Sequence, residues 1–351
     1  MSPVSEDLQQ SFRTHANYLR AFAHLSGFER WPRSDPQVVE QLAQKVIAAF
    51  PKAATPPVAD RDEMAKCLNR AWGTELLLNL GGRFEEDELV RLSNSWGSVQ
   101  TYYVGYAATQ ALILAEGRAR PITHPRTQDQ VGTLWITRQG AVAPFSFAAL
   151  PGSASNPSAY ANGPGRSIDT SVHPWKFCDS NNCWDIAATA LRTTRDDAVK
   201  KRLNELRAKK ARDNKKAWED GEQLRVSQGK RVRKKPQFPS AANLTAAERT
   251  TAESKVRPYT MLDYLFRLRI KANYEEARMF TEGPSGDGIS SVVALDMSRI
   301  ASAIMIAHEV RIGQLLGKRT IIGIAEHWAN TNSPPSRMGI GMRLAILKNF
   351  L

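Results

Sequence analysis

Cysteine is scarce in this chain, three residues in 351, which excludes a disulfide framework. The opening Met1-Ser2-Pro3-Val4-Ser5-Glu6-Asp7 is polar and acidic and lacks the basic-then-apolar pattern of a signal peptide. A reducing cytoplasm is therefore the expected setting. Long apolar runs are missing too. The nearest, Val104 to Ala115 and Ile300 to Ala307, fall well short of the ~20 residues that span a bilayer, so no membrane partner is expected. Gly132, Gly163, Gly165, Gly286 and Gly288 do not form a phosphate loop, and Gly317-Lys318-Arg319-Thr320 lacks the upstream glycine. There is no serine nucleophile elbow and no internal repeat. These absences set aside the secreted, membrane-spanning and P-loop classes, and no cofactor is expected.

Charge is present but unevenly placed. The formal net charge is +13. Arg192 to Lys235 holds 17 Lys/Arg and 7 Asp/Glu, a net of +10, and the remainder is nearly balanced at +3. Asp196 to Asp220 has no Pro or Gly and is rich in helix formers, so it is expected to be helical. Its apolar stripe, Val199, Leu203, Leu206 and Trp218, is narrow enough for a helix on a surface. Gly229 to Pro236 reads as an exposed basic loop. Clustered Lys and Arg displace condensed counterions from a phosphate backbone. Lys209, Lys210, Arg212, Lys215, Lys216, Lys230, Arg231, Arg233, Lys234 and Lys235 are thus candidate nucleic-acid contacts, with RNA or DNA as partner. A solvated helix, or docking to an acidic protein or membrane surface, is the competing reading.

Elsewhere the pattern is helical. Helices are expected over 7–25, 36–50 with Asp35 as cap, 60–80 closed by Gly81-Gly82, 289–316 and 320–329. In 85–116, Leu89, Leu92, Trp96, Val99, Tyr103, Tyr106, Gln110 and Leu114 recur at steps of three and four, with Gly97 and Gly105 marking a kink or a close helix contact. One helix is expected over 259–280, and either a helix or a hairpin over 128–147. Residues 151–174, rich in Gly, Ser, Asn and Pro, read as a loop. The expected organisation is N-terminal helices over 1–57, the first part of a bundle over 58–150, a Gly/Pro loop with a basic helical insertion over 151–240, and the second part of the bundle with the C-terminal tail over 241–351.

Two segments carry a resemblance. Trp96 to Gly117, WGSVQTYYVGYAATQALILAEG, resembles a core helix of HEPN-type domains, in which paired aromatics precede small residues and an Ala-Leu-Leu run. Leu268-Arg269-Ile270-Lys271-Ala272-Asn273-Tyr274-Glu275 resembles the Arg-x-x-Ala-Asp-Tyr stretch of a later helix in that family, with Asn273 in place of the aspartate. With the helices beside Trp96–Gly117 and Arg267–Glu275, the resemblance covers about a third of the chain. It implies a mainly α, HEPN-like helical bundle, often dimeric, here split by the basic insertion and preceded by extra helices. Such bundles occur in bacterial toxin and antiviral defence systems, and many cleave RNA as metal-independent endoribonucleases. The family signature is Arg, four to six residues, then His. Arg118–His124 and Arg166–His173 both fit it, and His124 directly follows the aromatic helix. Arg118 and His124 are therefore the candidate catalytic pair, His124 as acid or base and Arg118 as the cation for developing phosphorane charge. The alternative is a non-catalytic nucleic-acid-binding or scaffold subunit, as a homodimer or with a partner protein.

Two further patterns have chemical readings. His173, Cys178 and Cys183 place three soft ligands within 11 residues, a candidate zinc set; the alternative is two reduced cysteines flanking a turn at Asp179–Asn182. His308, on the apolar face of its helix beside Glu309 and Arg311, reads as a satisfied core histidine. Asp296 is expected to pair with Arg299, three residues on.

Overall fold

The structure, a computed structural model, describes residues 6–29, 35–136, 140–152, 159–275, 277–281 and 288–350. Among these the chain is mainly α. The helices are α1 (Glu6–Leu25), α2 (Asp35–Ala49), α3 (Arg61–Gly81), α4 (Asp87–Ala115), α5 (His124–Val131), α6 (Cys183–Ser227), α7 (Ala246–Ser254), α8 (Met261–Ile270), α9 (Ala277–Thr281), α10 (Ile289–Leu316), α11 (Lys318–Asn332) and α12 (Gly339–Phe350). Two π-helical turns, Gly132–Ile136 and Lys271–Glu275, interrupt the series. The only extended pairing among the described residues is short. Strand β1 (Ala148–Ala149) runs antiparallel to β2 (Tyr160–Ala161), and Ala149 also bridges to Tyr259.

The chain divides into two compact units. The first comprises 1–149, 160–191 and 259–351; the second comprises 150–159 and 192–258. The segment 1–57 therefore belongs to the first unit rather than standing apart, and the inserted unit ends at Pro258 rather than near 240.

In the first unit α4 and α10 form the centre, with α3 packed along α4 and α1 and α2 against α10. α10 is the one described helix long and apolar enough to cross a membrane, longer than the runs evident by eye. Here it is the core helix, burying Asp296, His308, Glu309 and Arg311 among Ile300, Ile304 and Ile312. Gly97 and Gly105 set the close approach of α4. A Cβ on Gly97 would lie 2.7 Å from Met297 Cε, and one on Gly105 3.0 Å from Leu262 Cδ1. Asp60 caps α3 by accepting from the Glu63 amide at 3.0 Å. At the start of α8 the Asp263 carboxylate accepts from the Thr260 amide and hydroxyl at 2.8 and 3.0 Å.

Four expectations are corrected here. The α4 series is not one core face: Leu89, Leu92, Trp96 and Tyr103 point to solvent, with Trp96 65% exposed. The core face carries Val90, Asn94, Gly97, Thr101, Ala108 and Leu112, whose small and polar members disguise it. The described residues of 128–147 form neither one helix nor a hairpin; α5 begins earlier, at His124 with Pro125 in its first turn, and passes into the first π-turn. The 259–280 helix is broken by the second π-turn into α8 and α9. Asp296 pairs with Arg20, at 2.8 Å with both side chains buried, while Arg299 pairs with Asp35 at 2.8 Å. The Gly283–Gly288 link lies, Gly288 excepted, outside the described residues.

The second unit is built on the charged part of α6, a helix that starts at Cys183, just after the Asp179–Asn182 turn, and runs for 45 residues without a break. Gly229, at φ +73°, reverses the chain. The returning segment is fastened along α6 in antiparallel sense. Arg233 pairs with Glu222 at 2.6 Å and Lys235 with Glu219 at 2.7 Å, Phe238 sits edge-on to Trp218, and the Ala242 amide donates to the Arg207 carbonyl. α7, opened by a Thr245/Glu248 capping box, then places Glu248 2.7 Å from Lys210.

Candidate nucleic-acid interface and a His-Tyr-Arg cluster

The fastened return segment sorts the ten basic candidates. Lys210, Arg233 and Lys235 are held by glutamates, and Lys230 donates to Gln228 at 3.0 Å. The expectation of a free basic loop is corrected to that extent. Lys209, Arg212, Lys215, Lys216, Arg231 and Lys234 are exposed and make no ion pair among the described residues. Lys209, Arg212 and Lys216 stand at steps of three and four, on one side of α6. Acidic Glu205 and Asp213 border the stripe, so the local field comes from these uncommitted cations rather than from an unbroken basic face.

In the first unit, α4 presents Tyr102, Tyr103 and Tyr106 toward the start of α5 and the end of α8. The Tyr102 hydroxyl lies 2.7 Å from His124 Nδ1. The His124 ring also packs on Tyr106, centroids 4.4 Å apart, and on Phe266 at 5.7 Å. The Arg269 guanidinium covers Tyr102, Tyr103 and Phe266 at 5.3–5.6 Å and donates to the Tyr103 hydroxyl at 3.4 Å. Burial, and then the nearby Arg269 charge, hold the His124 imidazole below its ordinary pKa. Burial raises that of Tyr102 beyond the usual phenol range. Both groups are thus favoured in their neutral forms, joined by the hydrogen bond between the Tyr102 hydroxyl and Nδ1.

The structure does not bring Arg118 to this histidine. Arg118 binds Gln130 at 2.8 Å and Glu116 at 3.0 Å. The cation sharing aromatic partners with His124 is Arg269, 145 residues away in sequence. Spacing missed it, although it lies inside the second resembling segment. The two resembling segments do pack together, through Tyr102 against Phe266 and Arg269. The other pair is also apart: Arg166 forks onto Asp185 at 2.8–2.9 Å, and His173 stacks on Trp175 at 4.5 Å.

The zinc set is not assembled. No group of three His, Cys, Asp or Glu among the described residues could hold a metal ion. Cys178 and Cys183 are buried, and burial raises both thiols, Cys183 to about 11. Such thiols resist forming the thiolate that metals bind. His308 is a satisfied core residue: its Nδ1–H donates to the Ile304 carbonyl at 2.7 Å and Nε2 faces the Thr109 hydroxyl at 3.4 Å.

Comparison with family models, with curated proteins and with solved structures finds no match. The functional reading rests on these residues alone.

Proposed function

We propose that the protein engages nucleic acid, RNA or DNA, through the second unit. The observation that carries this reading is the set of six exposed basic side chains left uncommitted after the glutamates are used. Each phosphate neutralised by such a group releases condensed counterion, at about 0.7 in log–log salt slope per contact on a single strand. Replacing Arg212, Lys216, Arg231 and Lys234 together with alanine is expected to weaken oligonucleotide binding and to flatten the slope by up to about 3. None of the four holds the return segment, so folding should be unaffected. A slope identical to the parent's would reject the interface.

A second reading is favoured by the His124–Tyr102–Arg269 cluster: a HEPN-like RNase effector, of the kind found in bacterial toxin and antiphage systems. His124 moves the proton and Arg269, in place of Arg118, meets the charge that develops on phosphate. His124→Ala is then expected to lower the cleavage rate by about 10²- to 10⁴-fold, and Arg269→Ala by about 10²- to 10³-fold. Arg118→Ala should leave cleavage near the parent rate. Incubation of each variant with labelled RNA decides the matter: cleavage that needs Arg118 and survives without Arg269 reverses the assignment. If none of the proteins cleaves, the non-catalytic binding subunit stands, and the exposed Leu89, Leu92 and Trp96 face of α4 is the surface a partner or second copy would cover.

A further inference from the structure

A second concentration of positive charge lies in the first unit, in a pocket of about 230 Å³. Arg83 reaches it from the turn after α3, Arg299 from α10, and Arg337 from the segment before α12. Among the described residues of its wall the one acid is Asp35, which is bound to Arg299 at 2.8 Å. Arg83 and Arg337 are exposed and form no ion pair among the described residues. Two guanidiniums thus line the pocket without a counter-charge among the described residues.

The remaining wall is suited to one kind of guest. Ser298 and Ser302 stand four residues apart on α10 and line the pocket. Ser302 Oγ accepts from Arg343 Nη1 at 3.4 Å, so its own proton is available to donate into the pocket. Leu295 and Met342 make an apolar side, and the Arg299 guanidinium lies 5.6 Å from the centre of the buried Phe28 ring beneath it. A carboxylate has two oxygens and is satisfied by a single arginine fork. A phosphate monoester offers three terminal oxygens and nearly two charges, which matches two free forks plus hydroxyl donors. The volume is below that of ordinary drug-sized sites, so the organic part must be compact.

We infer that this pocket, lined by Arg83, Arg299 and Arg337 beside Ser302, binds a small phosphate monoester with its organic body against Leu295 and Met342. The site is separate from the residues given a role above, and it holds whether or not the protein binds nucleic acid.

Titration calorimetry on the full chain tests it, with phenyl phosphate, inorganic phosphate and benzoate as probes. Phenyl phosphate is expected to bind at one site, more tightly than inorganic phosphate and at least about tenfold more tightly than benzoate. The double variant Arg83→Ala, Arg337→Ala should lose about tenfold or more in phenyl phosphate affinity while unfolding at the parent temperature, since both side chains are exposed. The variant Arg231→Ala, Lys234→Ala in the second unit should bind like the parent, which separates this site from nonspecific anion binding. The inference is overturned by absent saturable binding, by benzoate binding as tightly as phenyl phosphate, by undiminished binding in the Arg83/Arg337 variant, or by loss in the second-unit variant.

Discussion

Replacing Arg343 with leucine is expected to destabilise the first unit by about 3–5 kcal/mol, a large share of the roughly 5–15 kcal/mol that keeps an ordinary protein folded. Arg343 is fully buried and ties three helices together. Its Nη1 and Nη2 donate to Glu75 of α3 at 2.5 and 2.8 Å, and its Nε and Nη2 donate to Glu309 of α10 at 2.9 Å. Trp72 Nε1 completes the shell of Glu309 at 2.7 Å. The backbone makes room for this network, for Gly339, at φ +50°, would carry a Cβ 3.2 Å from Glu75 Oε2. Removing the guanidinium leaves two carboxylates facing each other out of water, and that uncompensated charge is the source of the loss.

The same argument fixes the pH signature. Burial already pushes the Glu75 carboxyl upward, against the pull of Arg343. Without Arg343 that pull is gone and the Glu75 carboxyl rises further, so the folded variant holds a proton that the unfolded chain releases above its ordinary carboxyl pKa. Stability conferred by a raised carboxyl falls as pH rises. The Arg343→Leu protein should therefore be closer to its parent at pH 5 than at pH 8 in urea unfolding. Adding Glu75→Leu and Glu309→Leu should recover much of the loss, because apolar groups of similar size replace a buried charge cluster at little net cost. A deficit that is independent of pH would point to packing rather than charge.

This network marks the limit of what the sequence made legible. Glu75, Glu309 and Arg343 carry no local pattern, and only the meeting of α3, α10 and α12 unites them. Arg269 was hidden for the same reason, since a rule of spacing selects Arg118, whereas the fold supplies a cation from another helix. Patterns confined to one helix fared better. α2, α3 and α10 fall within a residue or two of where periodicity, capping and glycine stops put them. α4 lies where the pattern puts it, but of its series Val99, Gln110 and Leu114 are buried while Leu89, Leu92, Trp96 and Tyr103 face solvent, because close helix packing favours Gly, Ala and Thr, which no apolar pattern picks out. The basic segment was legible as a block of charge. That the block folds back on itself, with Glu219 and Glu222 of its own and Glu248 of α7 holding three of its ten candidate cations, was not, because those pairings join residues up to 38 positions apart.

Lowering the pH from 6.5 to 4 is expected to cost the first unit about 3 kcal/mol through His308 alone. The residue is fully enclosed, with Trp135 and Phe145 rings 5.1 and 6.3 Å away, and burial pushes its pKa down to about 4. Both ring nitrogens are already used in the neutral form, Nδ1–H toward Ile304 and Nε2 toward Thr109. A proton added at Nε2 would bring charge into a wall of aromatic and aliphatic groups. In the unfolded chain His308 binds that proton near its ordinary pKa of 6.5. Between pH 6.5 and 4 the unfolded state therefore holds more protons, so stability rises with pH through this window and is lost as pH falls. Below 4 the folded state binds the proton too and the loss levels off. Urea unfolding at half-unit steps of pH reads this directly. His308→Leu removes the titration along with two hydrogen bonds, so its absolute stability is not the test. The slope is: it should be flatter than the parent's between pH 6.5 and 4.5, and a parallel slope would assign the acid sensitivity to His124 and His24, whose pKa values burial also lowers.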